Sequence, residues 1–111
     1  MILTGKCKED FLEYYWENNI KPLKFSVCKK DDLEQFFESI SELFQNVLII
    51  DFFDSVGIYI TIFPCIDKTF DSYITINESR KECCQFQPTR PKATNAAIER
   101  ANEIHNSKYD S

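Results

Sequence analysis

Apolar residues recur along this chain with two periods. Cys7, Phe11, Leu12, Tyr15 and Trp16 fall near one side of a helix, with Lys8, Glu9, Glu13 and Glu17 elsewhere. Thr4 is placed to cap its first turn through the hydroxyl, and Asn18-Asn19 with Pro22 to stop it, because proline has no amide hydrogen and disfavours helical geometry before it. Leu23, Phe25 and Val27 then alternate with Lys24, Ser26 and Cys28, the period of a short half-buried strand. Leu33, Phe36, Phe37, Ile40, Leu43 and Phe44 return to helical spacing and form the clearest amphipathic helix, opened by Asp31 and Glu34 as a capping-box variant and ended at Asn46.

From Val47 to Phe53 the chain is rich in β-branched and aromatic residues, which predicts a buried strand. Asp54-Ser55-Val56-Gly57 has the make-up of a tight connection, with Gly57 free to take positive φ. Ile58, Ile60 and Ile62 alternate with Tyr59, Thr61 and Phe63, so a second strand is expected to return antiparallel as a hairpin closed by Pro64. Asp71 to Asn77 predicts a third strand. Residues 78–88 read either way, with Cys83–Phe86 able to form a short edge strand. Pro91 suits a first helical turn, and Ala93, Ala97, Ala101 and Ile104, with Ile98 beside them, give the last helix a narrow small-residue stripe that can lie close on a sheet. Residues 106–111 are expected as a flexible tail. The expectation is a single α+β domain over residues 1–111, ordered α-β-α-β-β-β-α. A small antiparallel sheet of three to four strands would pack with two to three helices, on one face or split across two.

Composition supports a folded core: of 111 residues, 43% are hydrophobic and ten are Phe. The formal charge of −5 has no basic block to set against it, which argues against gripping a phosphate backbone. The five cysteines (Cys7, Cys28, Cys65, Cys83, Cys84) are odd in number and irregular in spacing, as expected of reduced thiols in a cytoplasmic protein. The start lacks the pattern of a secretory leader, and the longest apolar run, Val47–Ile50, is far too short for a membrane span.

Candidate chemistry is sparse. A thiol nucleophile would need a base, and the single histidine, His105, is placed by its position beside Ile104 on the solvent side near a helix end. The cysteines lack the paired spacing of a structural zinc site. Asp51 and Asp54 bracket Phe52-Phe53; on a strand they would point to opposite faces, and Asp54 would serve the turn. Two glycines leave no phosphate-binding loop. No catalytic, cofactor-binding or metal residue is therefore expected. The one distinctive surface feature is Glu34, Glu38 and Glu42, repeating every four residues on the second helix behind Asp31. This acidic stripe is expected to be exposed and is the candidate partner-binding surface.

The stretches Asp51–Ile58 and Ala97–Asn106, with a weaker echo in Leu3-Thr4-Gly5-Lys6 and Lys8-Glu9-Asp10-Phe11, resemble small uncharacterised proteins encoded by phages and integrated mobile elements of gut anaerobes. The second helix and the Cys83-Cys84 region depart from that pattern. The resemblance implies a setting, an intracellular accessory protein of a mobile element, and brings no activity or catalytic residue with it. The expected function is non-enzymatic: binding of a host or element-encoded protein through the acidic surface, with nucleic-acid-handling or defence machinery as the class of target. The alternatives are a small enzyme using Asp51 and Asp54 or a cysteine, and a nucleic-acid-binding module, which the charge disfavours. Neither direct nucleic-acid nor membrane contact is expected.

Overall fold

Four helices and a three-stranded antiparallel sheet make up the α+β fold in the computed structural model, which describes residues 1–108. Helix α1 (Gly5–Tyr15) buries Cys7, Phe11 and Tyr15 and continues through one wider-wound turn over Trp16–Ile20 before the chain turns at Pro22. Thr4 occupies the N-cap position, but its hydroxyl does not cap. It accepts a hydrogen bond from Asn102 Nδ2 instead (2.9 Å). The first-turn amide of Cys7 is satisfied by Asn106 Oδ1 (2.7 Å) from the last helix, so the cap of α1 is supplied from the far end of the chain. Leu23–Val27 does not form the expected strand; Phe25 is 69% exposed. Alternation alone cannot hold a strand that has no neighbour to complete its ladder.

The long helix expected from Leu33 to Phe44 is broken. Helix α2 covers Leu33–Glu38, entered through a 3-10 turn at Lys30–Asp32, with Asp32 rather than Asp31 at the N-cap. Helix α3 covers Glu42–Ser55. The break has a geometric cause: on one continuous helix, Leu33, Phe37 and Ile40 would point opposite to Asn46, Ile49 and Phe53, so both sets could not face one core. Ser39 Oγ donates to Phe36 O (2.5 Å) and Gln45 Nε2 to Ile40 O (2.8 Å), closing the first helix and bracing the second. Val47–Phe53, expected as a strand, is the middle of α3, and the predicted hairpin with Ile58–Phe63 does not exist. Helical spacing buries Asn46, Ile49, Phe52 and Phe53 on one side. Helix α3 closes with two backbone bonds, Gly57 N–H to Asp54 O (3.2 Å) and Ile58 N–H to Phe53 O (2.9 Å), with Gly57 at φ +80°. This is a Schellman cap, which needs a left-handed residue where the glycine sits.

The sheet is a meander of β1 (Tyr59–Pro64), β2 (Phe70–Ile76) and β3 (Ser79–Gln87), in that spatial order. The first hairpin turns at Lys68 (φ 69°), and the second through Asn77 and Glu78, both at positive φ as a two-residue type I′ turn requires. The ambiguous segment 78–88 is thus mostly strand, longer than the Cys83–Phe86 edge expected for it. Helix α4 (Arg90–Ser107) starts with Thr89 Oγ1 accepting from Lys92 N–H (3.3 Å) and crosses all three strands on its Ala93, Ala97, Ile98 and Ala101 side. It takes in Asn106 and Ser107, which were expected in a loose tail; the rest of that expectation, residues 109–111, lies outside the described residues.

Helices α1 and α3 pack against α4 on the same side of the sheet, around an aromatic cluster. Phe11 meets Phe37 edge-on (5.0 Å between ring centroids), Phe52 at 5.7 Å and Tyr15 at 5.9 Å. No helix among the described residues is long and apolar enough to cross a membrane.

Candidate functional site

The three glutamates do not form one stripe. Glu34 and Glu38 lie on α2 and Glu42 on α3, across the break. They are exposed or half-exposed, as expected, but each turns to its own neighbour. Glu34 pairs with Lys8, Glu38 with the amino group of Met1 (2.7 Å), and Glu42 Oε1 accepts from Asn95 Nδ2 (3.0 Å). The hydrogen bond and positive charge of that amino group hold the Glu38 carboxyl below its ordinary range. The break also turns outward two residues expected in the core, Leu43 (67% exposed) and Phe44 (56%), and Val47 joins them on the surface of α3.

Asp51 and Asp54 are one helical turn apart rather than on opposite faces of a strand, so they approach each other after all. Partial burial and the charge of Asp51 push the Asp54 carboxyl up. Asp51 is already engaged, accepting from the Tyr14 hydroxyl (2.8 Å), and that bond pushes the Tyr14 phenol up. No group of His, Cys, Asp and Glu side chains among the described residues is arranged to hold a metal ion.

All five cysteines are free thiols. Burial pushes Cys7 up to about 12 and Cys83 up to about 11, so neither offers a thiolate near neutrality. Cys84 Sγ lies 3.0 Å from Ser72 Oγ on the inner face of the sheet. His105, expected on the surface, is 4% exposed. It packs edge-on against Phe52 and its Nε2 bonds Asp10 Oδ2 (2.9 Å), joining α4 to α1. Helix α4 curls this residue inward because Ala101, Asn102 and His105 share the helical face that meets α1. Burial alone would raise the Asp10 carboxyl, but hydrogen bonds from His105 and Lys6 outweigh it and hold Asp10 below the ordinary carboxylate range. A depressed carboxyl stabilises the fold above its unfolded value of about 3.9, and that stability is lost as the pH falls through the folded value. Asp10→Asn is therefore expected to lower stability at neutral pH by under about 1 kcal/mol, since Asp10 is partly solvated. The difference from wild type should shrink progressively in urea melts carried out at falling pH below that unfolded value.

The helices pack on one face of the sheet and leave the side chains of its outer face exposed or half-buried. The register brings Tyr59, Thr61 and Phe63 of β1 beside Thr75, Tyr73 and Asp71 of β2, with Arg80 and Glu82 of β3 completing the rows. The Arg80 guanidinium lies over the Tyr73 ring, 4.1 Å from its centroid. Phe63, Asp71, Tyr73, Arg80 and Glu82 line a shallow groove of about 450 Å³. Beyond Phe63 it continues into a more apolar hollow formed with Pro64, Ile66 and Phe86. Phe63 is 55% exposed, Phe86 63%, and Ile66 stands fully in solvent at the hairpin tip. Asp71 Oδ1 accepts from the Phe86 amide (3.0 Å), which fixes the bulged end of β3 with Phe86 at φ 57°. The sequence carries a signal for this surface: Ile58–Phe63 alternates isoleucines with aromatic residues and threonine, so the strand has no charged face.

Comparison with protein-family models, with curated proteins and with solved structures finds no match to this chain.

Proposed function

We propose that this is a non-enzymatic binding protein, an accessory factor of a mobile element, that docks on a host or element-encoded protein through the outer face of its sheet. The observation that carries the proposal is the aromatic face itself. Phe63 and Tyr73 line a shallow groove, Phe63 and Phe86 line the hollow that adjoins it, and Tyr59 stands on the same face of β1, while α3 and α4 pack behind the sheet. Exposed aromatic residues beside an arginine are the composition of interface hot spots, and contiguous apolar surface on a folded domain marks interaction sites. The fit is to a partner with an apolar knob in a basic surround, because the chain's charge of −5 steers basic surfaces toward it. The acidic residues then act through the field of the whole molecule rather than as a docking stripe, since Glu34, Glu38 and Glu42 each have a partner within the fold.

The test compares two variants in co-purification from a host lysate, scored on the same stoichiometric partner band. Tyr59→Ser with Phe63→Ser removes two anchors from the exposed face and is expected to weaken binding at least about a hundredfold. Glu34→Gln, Glu38→Gln and Glu42→Gln together should reduce the salt sensitivity of capture and leave the partner bound. Retention of the partner by the aromatic variant, or its loss with the glutamine variant alone, would reject this face as the docking site.

A further inference from the structure

The two edges of the sheet are built differently. The β3 edge carries Arg80, Lys81 and Glu82, and its register with β2 slips between Tyr73 and Ser72. Charges and irregularities of this kind block an edge against further strands. The β1 edge, Tyr59–Pro64, has no ionisable group except the Tyr59 phenol, follows β2 in unbroken register, and has no strand on its other side among the described residues.

The pattern of bonding identifies which backbone groups that edge presents. Cys65 N–H bonds Thr69 O (2.8 Å), and this pair continues the β1–β2 register. Hydrogen-bonded and non-hydrogen-bonded pairs alternate along an antiparallel ladder. Phe63, Thr61 and Tyr59 therefore turn their N–H and C=O toward β2, whereas Ile60 and Ile62 turn theirs to the open edge. The second hairpin gives the same alternation independently. Its two-residue turn closes on the Ile76–Ser79 pair, which aims Ile76 and Ile74 at β3 and leaves Thr75 and Tyr73 for β1. Pro64, which has no N–H, falls in the outward set, where a proline costs no ladder bond.

We infer that two copies of this chain pair through their β1 edges, antiparallel about a two-fold axis at Thr61, joining their sheets into one. In that register Ile60 and Ile62 of one copy exchange backbone hydrogen bonds with Ile62 and Ile60 of the other. Thr61 meets its own counterpart as a close non-hydrogen-bonded pair, and Tyr59 lies opposite Phe63 on the outer face. Each of these is a favourable cross-strand combination, and a two-fold axis requires this self-complementarity of an isologous contact. Self-complementarity favours a second copy over a different chain's strand, since every position of β1 then meets a suitable counterpart. Molecules of net charge −5 repel as wholes, and this strand is a surface where two of them can meet without opposing carboxylates. Pairing would also double the aromatic face proposed above, but the inference stands on the edge geometry and not on that face having a partner.

Sedimentation equilibrium over a concentration series tests it. Wild type is expected to pass reversibly from the 13.1 kDa chain mass to twice that value. Thr61→Lys and Thr61→Glu, each setting like charges against each other at the axis, should weaken self-association at least about tenfold, and an equimolar mixture of the two should restore the dimer. Ile62→Pro removes an N–H that only the second copy would use, so it should dissociate the dimer while the circular dichroism of the monomer is kept. In wild type, the amide exchange of Ile60 and Ile62 should slow as concentration rises. A wild-type monomer throughout the series overturns the proposal. So does a dimer that survives Thr61→Lys and Ile62→Pro, or exchange at Ile60 and Ile62 that ignores concentration.

Discussion

Phe11→Ala is expected to destabilise the fold by about 3–5 kcal/mol, a large part of the roughly 5–15 kcal/mol that holds a domain of this kind together. Phe11 is fully buried, and its ring touches those of Tyr15, Phe37 and Phe52, so it joins α1, α2 and α3 at one point. The loss has two sources: the apolar surface no longer withdrawn from water, and the cavity left among rings anchored on separate helices that cannot all close on it. Urea melts should show a lower midpoint with little change in slope. Phe11→Leu should recover much of the loss by refilling most of the volume. A midpoint for Phe11→Ala close to that of wild type would mean the helices are not held around this ring.

The second large effect concerns two asparagines. Asn102 Oδ1 accepts from Thr4 N–H (3.0 Å) and its Nδ2 donates to Thr4 Oγ1 (2.9 Å). Asn106 Oδ1 accepts from Cys7 N–H (2.7 Å) and its Nδ2 donates to Thr4 O (3.0 Å). Placed one turn apart on α4, they clasp the first turn of α1. Truncating either leaves partly buried backbone groups without partners, at a cost of about 1–3 kcal/mol. Asn102→Ala with Asn106→Ala is expected to cost less than the sum of the singles, because both serve Thr4. Hydrogen exchange should locate the effect: the amides of α1 should lose protection and those of the sheet should not. Equal loss across the whole molecule would show that the clasp supports the global fold and not one helix.

The first and last helices and the first two of the three strands were legible because period and punctuation agree there. Pro91 opens a helix whose alanines lie on one side, and Gly57 stands where positive φ is needed. The middle of the chain misled for a definite reason. Val47–Phe53 has the residue types of a strand, but Asn46, Ile49, Phe52 and Phe53 have the spacing of a helix, and burial of that side outweighed the weak preference of β-branched residues. Asn46 looked like a terminator and is a buried part of α3, its Nδ2 donating to Asn95 Oδ1 (3.1 Å). The acidic stripe depended on one unbroken helix, and the need for a break appears only once Asn46, Ile49 and Phe53 continue as helix with their buried side opposite that of Leu33 and Phe37. His105 could not be placed from local pattern, since what buries it is α1, distant in sequence.

That distance bears on how the chain is made. The bonds that complete the start of α1 come from residues about a hundred positions later, and the aspartate–histidine link between the same helices spans nearly as far. On the ribosome, α1 emerges first and finds its caps last. Until α4 has been synthesised, its opening turn lacks the asparagine acceptors, although Phe37 and Phe52 of α2 and α3 are already there to meet Phe11. Helix α3 and the meander have local contacts and need no such wait, whereas the cap of α1 can be completed only once α4 is in place.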